Sequence, residues 1–317
     1  MRDPVLITGA SGFMGFHVAR ALGRAGLPYR ALVRPSSEVG PLRALGAELR
    51  RGDVTRPETL VPAFEGCRAV INFAGAADVA DARLNQLVNV EGTANVARAC
   101  LQAGVPRLVH FSSSCAVRPL QDAYGKTKWL GEQALKELSG LDLRTFRPAM
   151  MYGEGSREWF TFVSTVARFP LVPVPGDGRH LLRPVLVDDA VQATLAAVER
   201  DGLGGRIYDI VSREALDLNQ LIGMVAGQMG KRRWPLHLPL SLVLAGARLM
   251  GRIWTHPPVV PDQVLAFAQD TEGDPEPAAR DLGFAPVGMA QGLRTLFQRT
   301  PWRQMGQLSP EGSSRRE

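Results

Sequence analysis

The sequence predicts an α/β fold, a doubly wound parallel sheet with a smaller, mostly helical C-terminal region. Three observations carry that prediction. The first half alternates short β-rich runs with longer amphipathic segments. A glycine-rich turn joins the first of these runs to the first helical pattern. Beyond about Pro148 the alternation gives way to proline-punctuated and then mostly helical segments.

The elements follow in order. Strands are predicted over residues 5–8, 29–33, 69–73, 108–111 and 143–146, and helices over 12–25, 84–103 and 123–138. Strands separated by helices of this length require crossover connections, hence a parallel sheet covered on both faces. Residues 169–184 contain Pro175-Gly176-Asp177-Gly178 and read as a turn rather than a regular element. A strand over 184–187, a helix over 189–200 with Asp188-Asp189 at its N-cap, and a strand over 206–211 follow. The predicted division is a first domain over 1–168 to which 184–212 returns. A second region spans 169–183 and 213–303, and a polar tail over 304–317 is expected to be disordered.

Composition narrows the function. The net charge of +6 is scattered, with no long Lys/Arg run, which argues against nucleic acid as a partner and reads as a solvated surface or as attraction for an anionic small molecule. Three cysteines, Cys67, Cys100 and Cys115, show no paired spacing, so neither a disulfide framework nor a zinc site is expected. Cys115 has no motif partner and reads as an inert small residue. The five histidines show no metal-ligand spacing, so no metal is expected. The chain enters its first strand without a signal segment, and its longest apolar stretch, 238–247, falls far short of the ~20 residues of a membrane span. A cytoplasmic address is the expectation.

The glycine turn reads Thr8-Gly9-Ala10-Ser11-Gly12-Phe13-Met14-Gly15. A tight turn opening a helix lets backbone approach a pyrophosphate, whose charge is stabilised by free N–H groups at the helix N-terminus. The second strand ends Val33-Arg34-Pro35-Ser36-Ser37. An acidic residue there would bind the ribose hydroxyls of NAD. An arginine followed by hydroxyls suits a 2′-phosphate instead, so NADP is favoured over NAD. Asp53 and Val54 fit a turn near the adenine, and Ala74 and Gly75 the turn after the fourth strand.

A chemical site follows the fifth strand. Ser112-Ser113-Ser114 ends it, and Tyr124 and Lys128 downstream are four residues apart, on one helix face. An ammonium beside a phenol favours the phenolate and lowers the tyrosine pKa toward working pH. Tyr124 can then exchange a proton with a substrate oxygen while hydride moves at the adjacent carbon. Only four of the 37 basic residues are lysine, and in so arginine-rich a chain Lys128 suggests a compact, titratable ammonium.

These residues together resemble the extended short-chain dehydrogenase/reductase superfamily, its NAD-dependent epimerase/dehydratase group, over residues 4–298. The glycine turn, Asn89-Val-Glu-Gly-Thr93, the serine run, Tyr124-x-x-x-Lys128, Arg147-Pro148 with Tyr152-Gly153, and Val187-Asp188-Asp189 all fall in family order. The resemblance implies a Rossmann-type nucleotide-binding domain with a C-terminal substrate-binding region. It implies Ser114 as substrate hydrogen-bonder, Tyr124 as acid/base and Lys128 as ribose anchor. Asn89, Ser112, Pro148 and Met151 are placed along the cofactor. The expected activity is that of an NAD(P)-dependent oxidoreductase or epimerase acting on a sugar nucleotide or another small hydroxyl or ketone compound, with a homodimer as a compatible assembly.

One feature departs from the family's sugar-nucleotide enzymes. Only nine residues separate Ser114 from Tyr124. That short loop is similar to an atypical branch which includes the NADPH-binding accessory subunit of respiratory complex I, as are residues 183–188 and 257–264. The alternative function is therefore a non-catalytic NADPH-binding structural or assembly subunit. Lys231-Arg232-Arg233-Trp234 precedes an apolar helix predicted over 240–254 and interrupted by Arg248 and Arg252. It is read chiefly as a cover for the substrate cleft, with peripheral membrane contact as the second reading.

Overall fold

The computed structural model describes residues 3–77, 81–121, 123–253 and 261–306. Seven parallel strands form one sheet: β1 (Val5–Thr8), β2 (Tyr29–Val33), β3 (Glu48–Arg51), β4 (Ala69–Asn72), β5 (Arg107–Phe111), β6 (Asp142–Pro148) and β7 (Arg206–Ile210). Their spatial order is 7-6-5-4-1-2-3, which reverses direction between β1 and β4. Every residue of β1 is buried, as an apolar strand covered on both faces must be.

Strand alternation divides the core. Val5, Ile7, Ala31, Ile71, Val109 and Phe146 face the helices Phe13–Arg24, Val187–Glu199 and Glu276–Leu282. Leu6, Leu32, Val70 and Leu108 face the other layer, which includes helix Thr93–Gln102 and Leu135 of helix Ala123–Lys136. A further core joins helices Arg157–Arg168, Leu218–Gln228 and Met289–Arg299 around Trp159, Leu221 and Leu293.

Several expectations need correction. The polar edge strand β3 carries no apolar run and was not among the predicted strands. Its Glu48 instead pairs with Arg30 at 3.0 Å and Arg50 at 2.5 Å. Within 169–184, Leu171–Pro175 is a strand paired in parallel with Trp234–Leu238. A two-stranded ribbon tolerates its prolines because each strand has an unpaired side. Leu186, not the Asp188-Asp189 pair, is the N-cap of helix Val187–Glu199. Those carboxylates reach the C-terminal region, Asp188 to Arg299 at 2.6 Å and Asp189 to the Val287 N–H at 3.0 Å.

Helix Arg157–Arg168, from the stretch expected in the first domain, packs in the second core. Ala278, Leu282 and Phe284 return to the first core, from a region assigned wholly to the second. Met305 is fully buried and its carbonyl accepts from the Gly155 N–H at 2.8 Å, so residues 304–306 belong to the folded body. The rest of the predicted tail, residue 254 of the apolar helix, and 257–260 lie outside the described residues.

Candidate active site

The glycine turn is built at the C-terminal edge of β1. Gly9 has φ +61°, and a Cβ there would lie 2.8 Å from the Phe73 carbonyl carbon. At Gly15 a Cβ would lie 2.2 Å from the Gly9 carbonyl oxygen, so only glycine lets the helix approach the strand this closely. The Gly12 N–H closes the turn on the Gly9 carbonyl at 3.0 Å. Gly12 is also the N-cap of helix Phe13–Arg24 and supplies no side-chain cap. Its first-turn N–H groups therefore remain available to an anion. Ser11 and Phe13 are half-buried beside this terminus, and Met14 is buried beneath it.

Neighbouring strands end on the same edge. After β2, the Arg34 N–H donates to Ser37 Oγ at 3.0 Å, leaving the Arg34 and Ser36 side chains exposed. After β3, the Asp53 carboxylate accepts from the Thr55 N–H at 2.9 Å and hydroxyl at 2.8 Å, which braces the turn. Val54 is buried, and its carbonyl accepts from Asn95 Nδ2 at 3.0 Å. After β4, the Ala74 N–H donates to Thr8 Oγ1 at 3.2 Å, tying this turn to β1.

Asn89 joins the β4 turn to the helix that carries Tyr124. Its amide oxygen accepts from the Ala76 N–H at 2.9 Å, and its Nδ2 donates to the Ala76 carbonyl at 2.8 Å and Thr127 Oγ1 at 2.9 Å. Helical periodicity predicted one α-helix here. The structure instead has helix Ala82–Gln86, a π-helical turn Leu87–Gly92 holding Asn89, and helix Thr93–Gln102. Such π turns displace a side chain from the regular helical face, often at functional sites.

Lys128 is 3% exposed, and its ammonium donates to the Phe111 carbonyl at the end of β5. A Cβ added at Gly75 would lie 3.8 Å from Lys128 Nζ and 3.5 Å from Asn89 Oδ1. These neighbours bring Lys128, Gly75 and Asn89 together where β4 and β5 end. Burial lowers the lysine pKa to about 8, with the Glu132 carboxylate pulling the other way. Tyr124, one turn earlier on helix Ala123–Lys136, is half-buried. The helix packs against the 3-10 turn Ser114–Val117, whose first residue is buried. Ser112 Oγ is buried without a hydrogen-bond partner among the described residues, while Ser113 Oγ accepts from the Cys115 N–H at 3.2 Å. Pro148 ends β6, and Met151 pairs with Val185 just beyond it.

Sequence reasoning missed three parts of this surround. His110, fully buried on β5, contacts Asn72 Nδ2 through Nδ1 at 3.2 Å, while its Nε2 has no partner among the described residues. Burial, and then the charge of Lys128, hold His110 well below its ordinary pKa, so it is neutral. Arg147 forms a two-pronged ion pair with buried Glu132 at 3.0 and 2.6 Å behind Lys128. Gln269 exchanges two 3.0 Å hydrogen bonds with the Leu120 backbone, clamping the short Ser–Tyr loop to the C-terminal region. Only the Arg147-Pro148 motif pointed toward any of these. The contacts are long-range, and no local spacing encodes them.

This donor set fits a dinucleotide: an uncapped helix N-terminus behind a glycine turn, hydroxyls and an arginine at the next strand end, and a buried lysine two strands away. A doubly wound sheet with its reversal beside that turn defines a nucleotide-binding α/β enzyme of the Rossmann type. Residues 5–210 match the NAD dependent epimerase/dehydratase family, and the chain belongs to it.

The relatives agree over nearly full length. The 2-alkyl-3-oxoalkanoate reductase of Stenotrophomonas maltophilia is 26% identical across 92% of this chain and 98% of its own. The N-acetyl-alpha-D-glucosaminyl-diphospho-ditrans,octacis-undecaprenol 4-epimerase of Escherichia coli O157:H7 is 28% identical across 93% and 95%. Among solved structures, MoeE5 in complex with UDP-glucuronic acid and NAD is 25% identical, with a TM-score of 0.73 over 95% of this chain and 99% of that one. The chain is thus an enzyme of the reductase and epimerase type.

Proposed function

We propose that this enzyme interconverts a ketone and a secondary alcohol on a compound bearing an apolar chain, using Ser114, Tyr124 and Lys128. The observation that carries the reading is the buried Lys128 ammonium, fixed on the Phe111 carbonyl beside Gly75 and one helical turn from Tyr124. The apolar-chain substrate is favoured by the two curated relatives, one named for an alkyl oxoalkanoate and the other for an undecaprenol-linked sugar.

A bound nicotinamide supplies the hydride acceptor or donor. The N-terminus of helix Phe13–Arg24 holds the pyrophosphate, assisted by backbone from Gly9 to Gly15. Arg34 and Ser36 take a 2′-phosphate, which makes NADP the preferred form. Asp53 and Val54 would meet the adenine, Ala74, Gly75, Asn89, Ser112, Pro148 and Met151 would contact the rest of the dinucleotide, and Lys128 would hold its ribose. In ketone reduction the Tyr124 hydroxyl gives its proton to the substrate oxygen, and in alcohol oxidation the phenolate takes it back. Ser114 donates a hydrogen bond to the same oxygen, and the Lys128 charge stabilises the phenolate.

The test supplies NADPH and a panel of long-chain 3-oxo compounds to purified protein and follows the loss of reduced nicotinamide. Tyr124→Phe should lower turnover by ~10²–10⁴ while leaving calorimetric cofactor affinity nearly unchanged. No turnover with any member of the panel rejects the substrate class. A Tyr124→Phe enzyme that keeps most of its rate rejects the mechanism.

A further inference from the structure

Two segments of the C-terminal region have a composition that the reaction does not require. Residues 159–176 and 231–261 contain no Asp or Glu. The two segments meet in the parallel ribbon, where Leu171 lies opposite Trp234 and Pro173 opposite Leu236. Residues in register point to the same side of a ribbon. Leu171 and Trp234 are 51% and 58% exposed, so that side is an open apolar surface. Phe169 stands exposed just before it.

The ribbon leads into helix Leu240–Ile253 after Pro239. Leu242 and Leu249, two helical turns apart on one stripe, are 59% and 57% exposed, whereas Ala247 is buried. Six of the twelve exposed large apolar side chains among the described residues lie in these two segments.

The same two segments carry cations. Arg168, Arg232 and Arg248 are exposed, and none pairs with a carboxylate among the described residues. Lys231 and Arg233 cap the end of helix Arg157–Arg168 through the Ala167 and Val166 carbonyls at 2.7 and 2.6 Å. Those contacts satisfy carbonyls without neutralising the charge.

We propose that these two exposed segments dock the protein on an anionic lipid bilayer. Tryptophan and leucine enter the interface while arginines meet the headgroups, the pairing that interfacial segments use. A second copy is a poor occupant, because a two-fold contact would set each cation cluster against its equivalent with no acid between them. The proposal goes beyond the reading of the active site.

The test is flotation of the full chain with vesicles of phosphatidylcholine alone and of equimolar phosphatidylcholine and phosphatidylglycerol. It uses no substrate or cofactor, so its failure and that of the proposed reaction are separable. The protein should float with the mixed vesicles roughly tenfold or more better than with the neutral ones, and high salt should release it. Leu242→Asp/Leu249→Asp should lose roughly tenfold in binding, with an unchanged melting curve because both positions are already in water. Arg232→Glu should weaken binding by about fivefold. As a second readout, brominated lipid should quench parent fluorescence more than that of Trp234→Phe. Failure to float, equal binding to both vesicle types, or equal binding by the leucine variant overturns the proposal. A change in oligomeric state in that variant without vesicle binding assigns the segments to a second copy and also overturns it.

Discussion

Burial lowers the Lys128 pKa to about 8 from an ordinary 10.5, against the pull of Glu132. Between those two values the unfolded chain still holds a proton that the folded chain has released, so stability rises with pH across that window. Below it, both states are protonated and the full penalty applies. Lys128→Met should therefore stabilise the cofactor-free protein at neutral pH by about 1–2 kcal/mol, after allowing for the donor lost to the Phe111 carbonyl. The gain should shrink as pH approaches 10.5, and urea unfolding across that range checks both claims. A variant less stable than the parent at neutral pH, or a gap insensitive to pH, refutes this account. Arg34 is the opposite case, exposed and without a hydrogen bond from its guanidinium among the described residues. If it reads a 2′-phosphate, NADPH should bind roughly tenfold to hundredfold tighter than NADH. Calorimetry on Arg34→Ala should abolish that preference. Equal affinities in the parent would return the cofactor assignment to NAD.

Where helix Ala123–Lys136 crosses the π turn, the spacing rests on Gly131. A Cβ there would lie 2.3 Å from the Asn89 carbonyl oxygen, so Gly131→Ala must push the helix away. The expected cost is ~1–3 kcal/mol, as for other overpacked contacts. Turnover should fall as well, because Tyr124 and Lys128 ride on the displaced helix. Gly223, in helix Leu218–Gln228, has open space where its Cβ would go, and Gly223→Ala should stabilise by about 0.5–1 kcal/mol. Melting curves and kcat for the two variants separate close approach from helix propensity. Similar effects of both substitutions would show that the crossing at Gly131 is not tight. The sequence made the helices legible through their apolar periodicity. It did not reveal the π turn or the crossing, since both depend on what packs against the helix.

The two cores are joined through Glu154. Its carboxylate accepts from the Thr300 hydroxyl and lies 3.4 Å from Arg20 and 3.7 Å from Arg299, while its carbonyl contacts His17 Nε2 at 2.7 Å. Burial works against its charge, but Thr300, Arg299 and Arg20 hold the carboxyl below its ordinary 4.5. A depressed carboxylate adds stability that is present above the unfolded pKa and lost as pH falls through the folded one. Glu154→Gln should accordingly cost about 1–2 kcal/mol at neutral pH, and the difference from the parent should fade as pH drops below 4.5. Chemical denaturation at both pH values measures it. A constant difference would mean that the charge plays no part in joining the cores.

The sequence by itself indicated a parallel sheet without its β3 edge, the glycine turn after the first strand, and Gly9, Arg34, Ser114, Tyr124 and Lys128 as the residues to examine. Those features are local: a strand's apolar run, a glycine turn, two side chains one helical turn apart. Tertiary structure decided the polar edge strand β3, the pairing of Leu171–Pro175 with Trp234–Leu238, and the return of helix Glu276–Leu282 to the first core. It also decided that Lys128 is buried above a neutral His110 and backed by the Glu132–Arg147 pair. Each of these joins segments far apart in the chain. Pairing and burial depend on which surfaces the fold brings together, and local periodicity carries no record of that.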